Sequence, residues 1–409
     1  MRILLVNHYA GSLRHGMEYR PYYMAREWQR MGHEVLVVAA SYAHVRSRQP
    51  EMEPRVGQRR ETVDGVDYLW LATPPYTGNG FARVRNIVVF CSRLWRLGLR
   101  LAAEFRPDVV IASSTYPMDI WPARRIAHEA GARLVYEVHD LWPLSPIELG
   151  GMSRWHPFIV WVQRAEDTAY RVADRVVSML PLALDHMRSR GLRADKFVCV
   201  PNGIDADEWR CAAGALREDL ARVRRIASDA GQLLVGYAGA HGLANALDAL
   251  LDAAKQLTSE AQVLLVGDGP ERDRLLRRVH DEQIANVWLL PPVSKATIPA
   301  LLAAFDVAYI GLQRQPLFRF GISPNKLMDY MMAARPVLMA VEAGNDLVAE
   351  ARCGLTVRPE DPGAIRDGVR VLARLSEAQR RDLGERGRAF VLANHTYPVL
   401  ARRFLDALG

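Results

Sequence analysis

The stretch Phe320-Gly321-Ile322-Ser323-Pro324-Asn325-Lys326-Leu327-Met328-Asp329-Tyr330 concentrates more chemistry than any other part of the chain. Ser323 suits a helix N-cap and Pro324 the first helical position. A helix beginning there aims its free N–H groups and the positive end of its dipole at an anion. Lys326 adds a full charge in the first turn. Asp329, three residues on, shares its face, where a carboxylate can accept hydrogen bonds from the two hydroxyls of a ribose. One helix start can thus grip a diphosphate and a ribose together. The same residues also suit a capped surface helix with an ordinary Lys–Asp pair, and the pattern alone leaves both readings open.

Other reactive groups follow the ends of apolar runs. Val263–Val266 leads into Gly267-Asp268-Gly269-Pro270, where glycines let backbone approach a ligand closely; a plain turn fits equally. Gly236-Tyr237-Ala238 leads into Gly239-Ala240-His241-Gly242. His241 can donate to a phosphate, with Asn245 a turn later, or simply face solvent. Val138-His139-Asp140 ends another run, with His139 either facing a ligand or satisfied by Asp140. The loop His8–Arg20, with Gly11, Gly16, Glu18 and Arg20, follows the first run, and its charges serve a ligand or are merely solvated. Ser113-Ser114 is a further pair of this kind.

The elements that must position these groups alternate. Strands are expected at Ile3–Asn7, Glu34–Ala40, Val109–Ala112, Leu134–Val138, Arg175–Met179 and Phe197–Val200, with a helix at Tyr22–Met31 stopped by Gly32. Pro201-Asn202-Gly203-Ile204-Asp205 reads as a turn or linker. A second series follows at Leu233–Ala238, Val263–Val266, Asn286–Leu290, Val307–Ile310 and Val337–Met339. Alternation of this kind predicts parallel sheets covered on both faces, and such sheets hold ligands beyond the carboxyl ends of their strands. A chain of 409 residues exceeds one ordinary core, so two such domains are expected, with a cleft between them.

Charge divides unevenly. Residues 1–200 hold 27 Lys+Arg against 20 Asp+Glu, whereas residues 201–409 hold 26 against 26. The excess in the first half either spreads over solvated faces or meets an anionic partner. Within Arg83–Glu104, Arg93, Arg96 and Arg100 recur at helical spacing while Ile87, Phe90, Leu94 and Trp95 supply apolar area. Such a helix can dock on anionic lipid or be a domain helix with a solvated arginine stripe. Cys91, Cys199, Cys211 and Cys353 are scattered without CxxC spacing, which argues against a zinc site or disulfide framework and fits a reducing compartment. Met1-Arg2 and its short apolar run read as an opening strand rather than a signal peptide.

Taken in order, Val200–Asp205 (VPNGID), Val266–Leu275 (VGDGPERDRL), the SPNKLMDY helix start and Arg335-Pro336-Val337 resemble the retaining GT-B glycosyltransferases of family 4, over essentially the whole chain. Leu5–Ala40 and Gly239–Asp248 (GAHGLANALD) are similar to the WbuB-type branch, which adds amino sugars during bacterial O-antigen or capsule assembly. The resemblance implies an α/β GT-B fold of two doubly wound Rossmann-like domains facing across a cleft. Residues 1–200 would form the acceptor side and 201–390 the nucleotide-sugar domain, with 391–409 a helix packing back on the first.

Position by position, Asp329 falls on the second acid of the family's E-x7-E motif, the ribose carboxylate, while Gly321 stands where its first Glu would be. The family's Arg and Lys after the first strand of the second domain are missing from AGAHGLAN. His241, Lys326 and the Ser323–Asn325 amides would take over the diphosphate. The donor set implied is therefore Gly16, Gly239, His241, Asn245, Gly267, Gly269, Ser323, Pro324, Asn325 and Asp329. His139 and Lys326 are the catalytic candidates, His139 matching the family's HD position near the transferred sugar. Glu18, Arg20, Arg93, Arg96 and Arg100 would lie on the acceptor and membrane side.

The activity implied is retaining transfer of a sugar, an N-acetylated deoxyhexosamine on the branch resemblance, from a UDP-sugar to a polyprenyl-diphosphate-linked saccharide. It would need no cofactor and no metal and bind no nucleic acid. The enzyme would sit in the cytoplasm, peripherally on the inner face of the cytoplasmic membrane through its N-terminal domain. A nucleotide-sugar epimerase or a sugar phosphorylase on the same architecture, and a non-catalytic nucleotide-sugar-binding subunit, are the rival readings; a phosphorylase would want a pyridoxal-bearing lysine, for which there is no clear candidate.

Overall fold

The computed structural model describes residues 1–53, 56–78, 80–210 and 216–409, so Cys211 lies outside the described residues. The chain divides into two compact units, one of Met1–Asn202 with Tyr397–Gly409 and one of Gly203–Thr396. The sequence reading places these boundaries near 200, from the turn at Pro201–Asp205, and at 390, from the family resemblance.

Unit 1 holds one sheet of β1 (Arg2–Val6), β2 (Glu34–Ala40), β3 (Gln58–Val63), β4 (Val66–Leu71), β5 (Val109–Ala112), β6 (Arg133–Val138), β7 (Arg175–Ser178) and β8 (Phe197–Cys199), in the order β3-β4-β2-β1-β5-β6-β7-β8. The central strands are near-continuous apolar runs, as burial on both faces requires. All pairs are parallel except β3 with β4, an antiparallel hairpin closing the edge. The chain winds outward from β1 to β2 and β4, then returns to lay β5 beside β1. The sheet therefore reverses direction between β1 and β5, where Asn7, His8, Ser113 and Ser114 follow the strand ends.

The last helix, Tyr397–Asp406, belongs to this unit. Tyr397 stacks on Tyr23 at 4.5 Å, Phe404 meets the Trp28 ring edge-on at 5.1 Å, and Trp28 Nε1 donates to the Ala401 carbonyl at 3.1 Å. Leu400, Ala401 and Phe404 are fully buried there.

Unit 2 holds β9 (Leu233–Ala238), β10 (Ala261–Val266), β11 (Val287–Leu290), β12 (Val307–Gly311), β13 (Val337–Ala340) and β14 (Gly354–Val357), ordered β11-β10-β9-β12-β13-β14 and parallel throughout. Its two faces bury alternate residues. Leu234, Leu264, Ala308 and Met339 enter one core, and Val235, Val263, Tyr309 and Leu338 the other. The reversal here lies between β9 and β12. The turns after β9 and β10, and the helix that follows β12, are thus the expected ligand end of this unit.

Candidate functional site

Three glycines shape the ligand end of unit 2. Gly239, Gly267 and Gly269 have φ of 150, 156 and 153°, a region that L side chains rarely adopt. A Cβ on Gly267 would lie 1.9 Å from the Gly239 carbonyl oxygen, and one on Gly269 would lie 2.5 Å from that of His241. Bare backbone therefore lets the turn after β10 lie directly against the turn after β9. Backbone bonds hold the pair, with His241 N–H donating to the Asp268 carbonyl at 2.8 Å and Glu271 N–H to the His241 carbonyl at 2.9 Å.

His241 is fully buried in this junction, yet neither ring nitrogen has a hydrogen-bond partner in the unit. Burial lowers its pKa, and the neighbouring charges of Arg272 and Lys326 lower it further against the pull of Asp268. A neutral imidazole with two unmet nitrogens is what a bound polar ligand would complete.

Lys326 reaches the same place from the helix Asn325–Met332. Its Nζ donates to Tyr237 Oη at 2.9 Å and Asn245 Oδ1 at 2.8 Å, and it stands 4.5 Å from the centre of the Tyr237 ring. Burial lowers its pKa to about 8. The Lys–Asp pair left open by the sequence does not form, since the ammonium turns to β9 and its turn instead. Asn245 thereby becomes a positioning residue for Lys326, its Nδ2 tied to the Ala240 carbonyl at 3.0 Å. The helix itself is pinned by Tyr330, whose Oη accepts from Ala238 N–H at 2.9 Å and donates to the Ala238 carbonyl at 3.2 Å.

Two expectations change here. Pro324, not Ser323, is the N-cap and Asn325 the first helical residue, because Pro324 keeps an extended ψ of 124°. Asp329 lies one turn in, where burial raises its pKa to about 7, with Lys295 opposing and Glu208 adding to the shift. Sequence reasoning missed Tyr237 and Arg272. Tyr237 belongs to the core face of β9, and Arg272 opens the helix Arg272–Asp281 after the second glycine turn, its Nε buried and unpartnered.

A model described as "Glycosyl transferase 4-like domain" matches residues 15–203, and one described as "Glycosyl transferases group 1" matches residues 232–374. Together they take in the first strand series from β2 onward, the second series, and the glycine, lysine and aspartate positions above. The chain is a glycosyltransferase of GT-B type. No curated protein sequence matches it. Among solved structures, HepE from Anabaena in complex with UDP and glucose is similar over 100% of this chain and 99% of its own, at TM-score 0.66 and 16% identity. Sucrose-phosphate synthase from Thermosynechococcus elongatus is similar over 100% and 98%, at TM-score 0.71 and 17% identity. A glycosyltransferase from Rickettsia africae covers 99% and 97%, at TM-score 0.64 and 12% identity. At these identities the likeness shows the shared fold.

In unit 1 of the transferase, His139 follows β6, but Asp140 does not satisfy it. Asp140 accepts instead from Leu141 N–H at 2.8 Å and Ser145 Oγ at 2.7 Å. His139 Nε2 lies 2.9 Å from Ser113 Oγ and 3.4 Å from Glu137 Oε2, while Ser113 Oγ donates to the same carboxylate oxygen at 2.5 Å. The other Glu137 oxygen takes two bonds from Arg20, at 3.0 and 2.9 Å, and Arg20 also donates to the carbonyls of Val200 and Pro201. Burial would raise the Glu137 carboxyl, but Arg20, His139 and Ser113 outweigh it and hold it far below the usual carboxylate range. Ser114 accepts from His8 N–H at 3.0 Å.

The expected acceptor and membrane residues need correction. Arg20 is 1% exposed and wholly engaged in this network, so it faces neither solvent nor membrane. Glu18 is half-buried, its backbone paired with Tyr9 and Gly11. Gly16 sits in a tight loop where a Cβ would lie 2.5 Å from Ser47 Oγ. On the helix Phe81–Phe105, Ile87, Phe90 and Leu94 belong to the core and offer no area to a lipid. Arg93 is half-buried and donates to the Gly57 carbonyl at 3.0 Å, Arg100 pairs with Glu104 at 2.7 Å, and Arg96 is exposed. The outward stripe consists of Phe81, Val88, Trp95 and Leu99, with Arg125 lying 4.7 Å over the Trp95 ring.

Among the described residues no group of three or more His, Cys, Asp or Glu side chains is placed to hold a metal ion, and no helix is long and apolar enough to cross a membrane.

Proposed function

We propose that the transferase moves a sugar from a UDP-sugar with retention of configuration, and that the turns after β9 and β10 with the helix Asn325–Met332 hold the donor. The observation carrying this reading is the meeting of an unpartnered buried His241, a desolvated Lys326 and three glycines that bring two turns together at the strand reversal of unit 2. The complexes of the similar HepE with UDP and with UDP-glucose support the choice of base.

Departure of a nucleoside diphosphate concentrates negative charge on phosphate oxygens. Lys326, Arg272 and the first amides of the helix supply fixed positive charge there, and the desolvated setting makes each worth more than in water. Charge stabilisation is assigned to these groups, with no metal in the step. The C–O bond to the diphosphate breaks, and the acceptor hydroxyl attacks on the face being vacated. Its proton passes to the departing phosphate, so no side-chain nucleophile is called for. Asp329 accepts from the ribose hydroxyls, and His139, held by Ser113 and Glu137, is assigned to the transferred sugar.

An N-acetylated deoxyhexosamine donor and a polyprenyl-diphosphate-linked saccharide acceptor, in bacterial surface-polysaccharide assembly, remain the substrates this reading favours. The exposed stripe of Phe81, Val88, Trp95 and Leu99, flanked by Arg96 and Arg100, suits shallow insertion into an anionic leaflet on the cytoplasmic side. Product analysis with a panel of UDP-sugars and a polyprenyl-diphosphate sugar, with and without a chelator, tests the whole reading. An α-linked, chelator-insensitive product from an α-configured donor, absent in Lys326→Ala, is expected. Inverted product, release of an epimerised sugar nucleotide without acceptor, or chelator sensitivity overturns it.

A further inference from the structure

At the amino ends of β9, β12 and β13, the strand ends opposite the glycine turns, a cavity of about 740 Å³ opens beside Leu233 and Pro336. Its wall carries Arg224, Arg335, Arg380, Arg381 and Arg388 against three carboxylates, Asp306, Glu377 and Glu385. Unit 2 as a whole holds 24 Lys+Arg against 25 Asp+Glu, so this excess is local.

The pairing pattern shows which charges are free to act. Arg224 is taken by Asp306, and Arg381 by Glu377 at 2.8 Å. Arg380 spends one amino group on the Leu372 and Leu375 carbonyls. Arg335 gives one amino group to the Ala303 carbonyl, but its Nε is buried with no acceptor. Arg388 and Glu385 have no ion pair among the described residues. Three guanidinium groups therefore converge with donors to spare, opposed by one exposed carboxylate.

The arrangement is built by a close contact. A Cβ on Gly384 would lie 1.9 Å from the Ala334 carbonyl oxygen, so bare backbone brings the helix Glu377–Asn394 against the turn Ala334–Pro336. Arg381 and Arg388, three before and four after Gly384, share its face and are held toward Arg335. Burial lowers the Arg335 pKa against the pull of Asp306, with Arg224 and Arg381 adding to the lowering and Glu377 opposing it.

We infer that this cavity binds a small polyanion of the phosphate or diphosphate class, at a site separate from the donor turns. Forked guanidinium donors match phosphate oxygens geometrically, and a bound anion supplies the acceptor that the Arg335 Nε lacks. The site also touches the far end of a shared element. The helix Asn325–Met332 carries Lys326 in its first turn and is followed directly by Ala333–Arg335 on the cavity wall.

The test is isothermal titration of the full chain with inorganic pyrophosphate at low ionic strength, in wild type and in Lys326→Ala, which removes the donor lysine. One binding event is expected to remain in Lys326→Ala. Adding Arg388→Gln should weaken that event by about threefold or more, and Arg335→Gln with Arg388→Gln by about tenfold or more. Circular dichroism verifies that each variant is folded. Arg388 is exposed and unpaired, so its variant decides the matter even where the double variant does not fold. No heat at millimolar pyrophosphate in Lys326→Ala, or an affinity that both arginine variants leave unchanged, overturns the proposal. The arginine variants decide it whether or not Lys326 binds the donor.

Discussion

Lys326 offers the sharpest test of the donor reading, through pH. Burial depresses its pKa from 10.5 to about 8, equivalent to about 3 kcal/mol of preference for the neutral form. Because the folded pKa lies below the unfolded one, the empty protein bears this cost fully below pH ~8 and loses it as pH rises toward ~10.5, so this group makes stability increase across that window. Binding runs the other way. A diphosphate is held by the ammonium, whose fraction drops from about nine-tenths at pH 7 to about one-tenth at pH 9. UDP affinity should therefore fall about tenfold over those two units, about 1.4 kcal/mol, with proton uptake on binding at pH 8 and above. Isothermal titration in two buffers of different ionisation enthalpy reads both quantities. Lys326→Met should bind about 30-fold more weakly at pH 7, the value of a charge-assisted bond of about 2 kcal/mol, and show no such pH dependence. A flat wild-type affinity between pH 7 and 9, or a tenfold loss that persists in Lys326→Met, would refute the assignment.

Three further outcomes are expected. Asp329, with a folded pKa raised to about 7 by burial, binds more protons than the unfolded chain between about pH 4 and 7, so its contribution lowers stability as pH rises through that window. Asp329→Asn should accordingly raise the melting temperature at pH 8 far more than at pH 5 while weakening UDP binding about tenfold, read by thermal melts and titration. Arg20→Met leaves the Glu137 carboxylate buried beside Ser113 and His139 without its cation, and should cost about 3–5 kcal/mol in urea unfolding, part of it recovered by adding Glu137→Gln. In Gly267→Ala the new Cβ meets the Gly239 carbonyl, so the two turns must part; UDP binding should be lost with a destabilisation of about 3 kcal/mol.

The strands were the most legible part of the chain. Glu34–Ala40, Val109–Ala112 and Leu233–Ala238 match the expected spans residue for residue, because fully buried parallel strands are written as unbroken apolar runs. β3 escaped notice because Gln58–Val63 is a polar edge strand with little burial to mark it, although its partner β4 is buried at every residue but Asp67. His139 was visible, but Asp140, the neighbour offered as a possible partner, is not the group it meets. Alternation along a strand puts residue 137 on the same side as residue 139 and residue 140 on the other, so Glu137 rather than Asp140 follows from the two-residue period. The hold on Lys326 was beyond local pattern, since Tyr237 and Asn245 lie 89 and 81 residues away. Which side chains of the helix Phe81–Phe105 face outward was hidden for a related reason. Arginine spacing identifies a helix face, but not which apolar face the core will claim.

Unit 1 closes only with its final helix, and that has a bearing on how the protein is made. The ribosome delivers Tyr23 and Trp28 before any of unit 2, yet their partners Tyr397, Ala401 and Phe404 emerge after all of it. Until then the faces of Tyr23 and Trp28 lack the partners they have in the folded unit, whereas unit 2 is one contiguous segment from Gly203 to Thr396. The core contacts of unit 1 are therefore completed only after the whole of unit 2 has been synthesised.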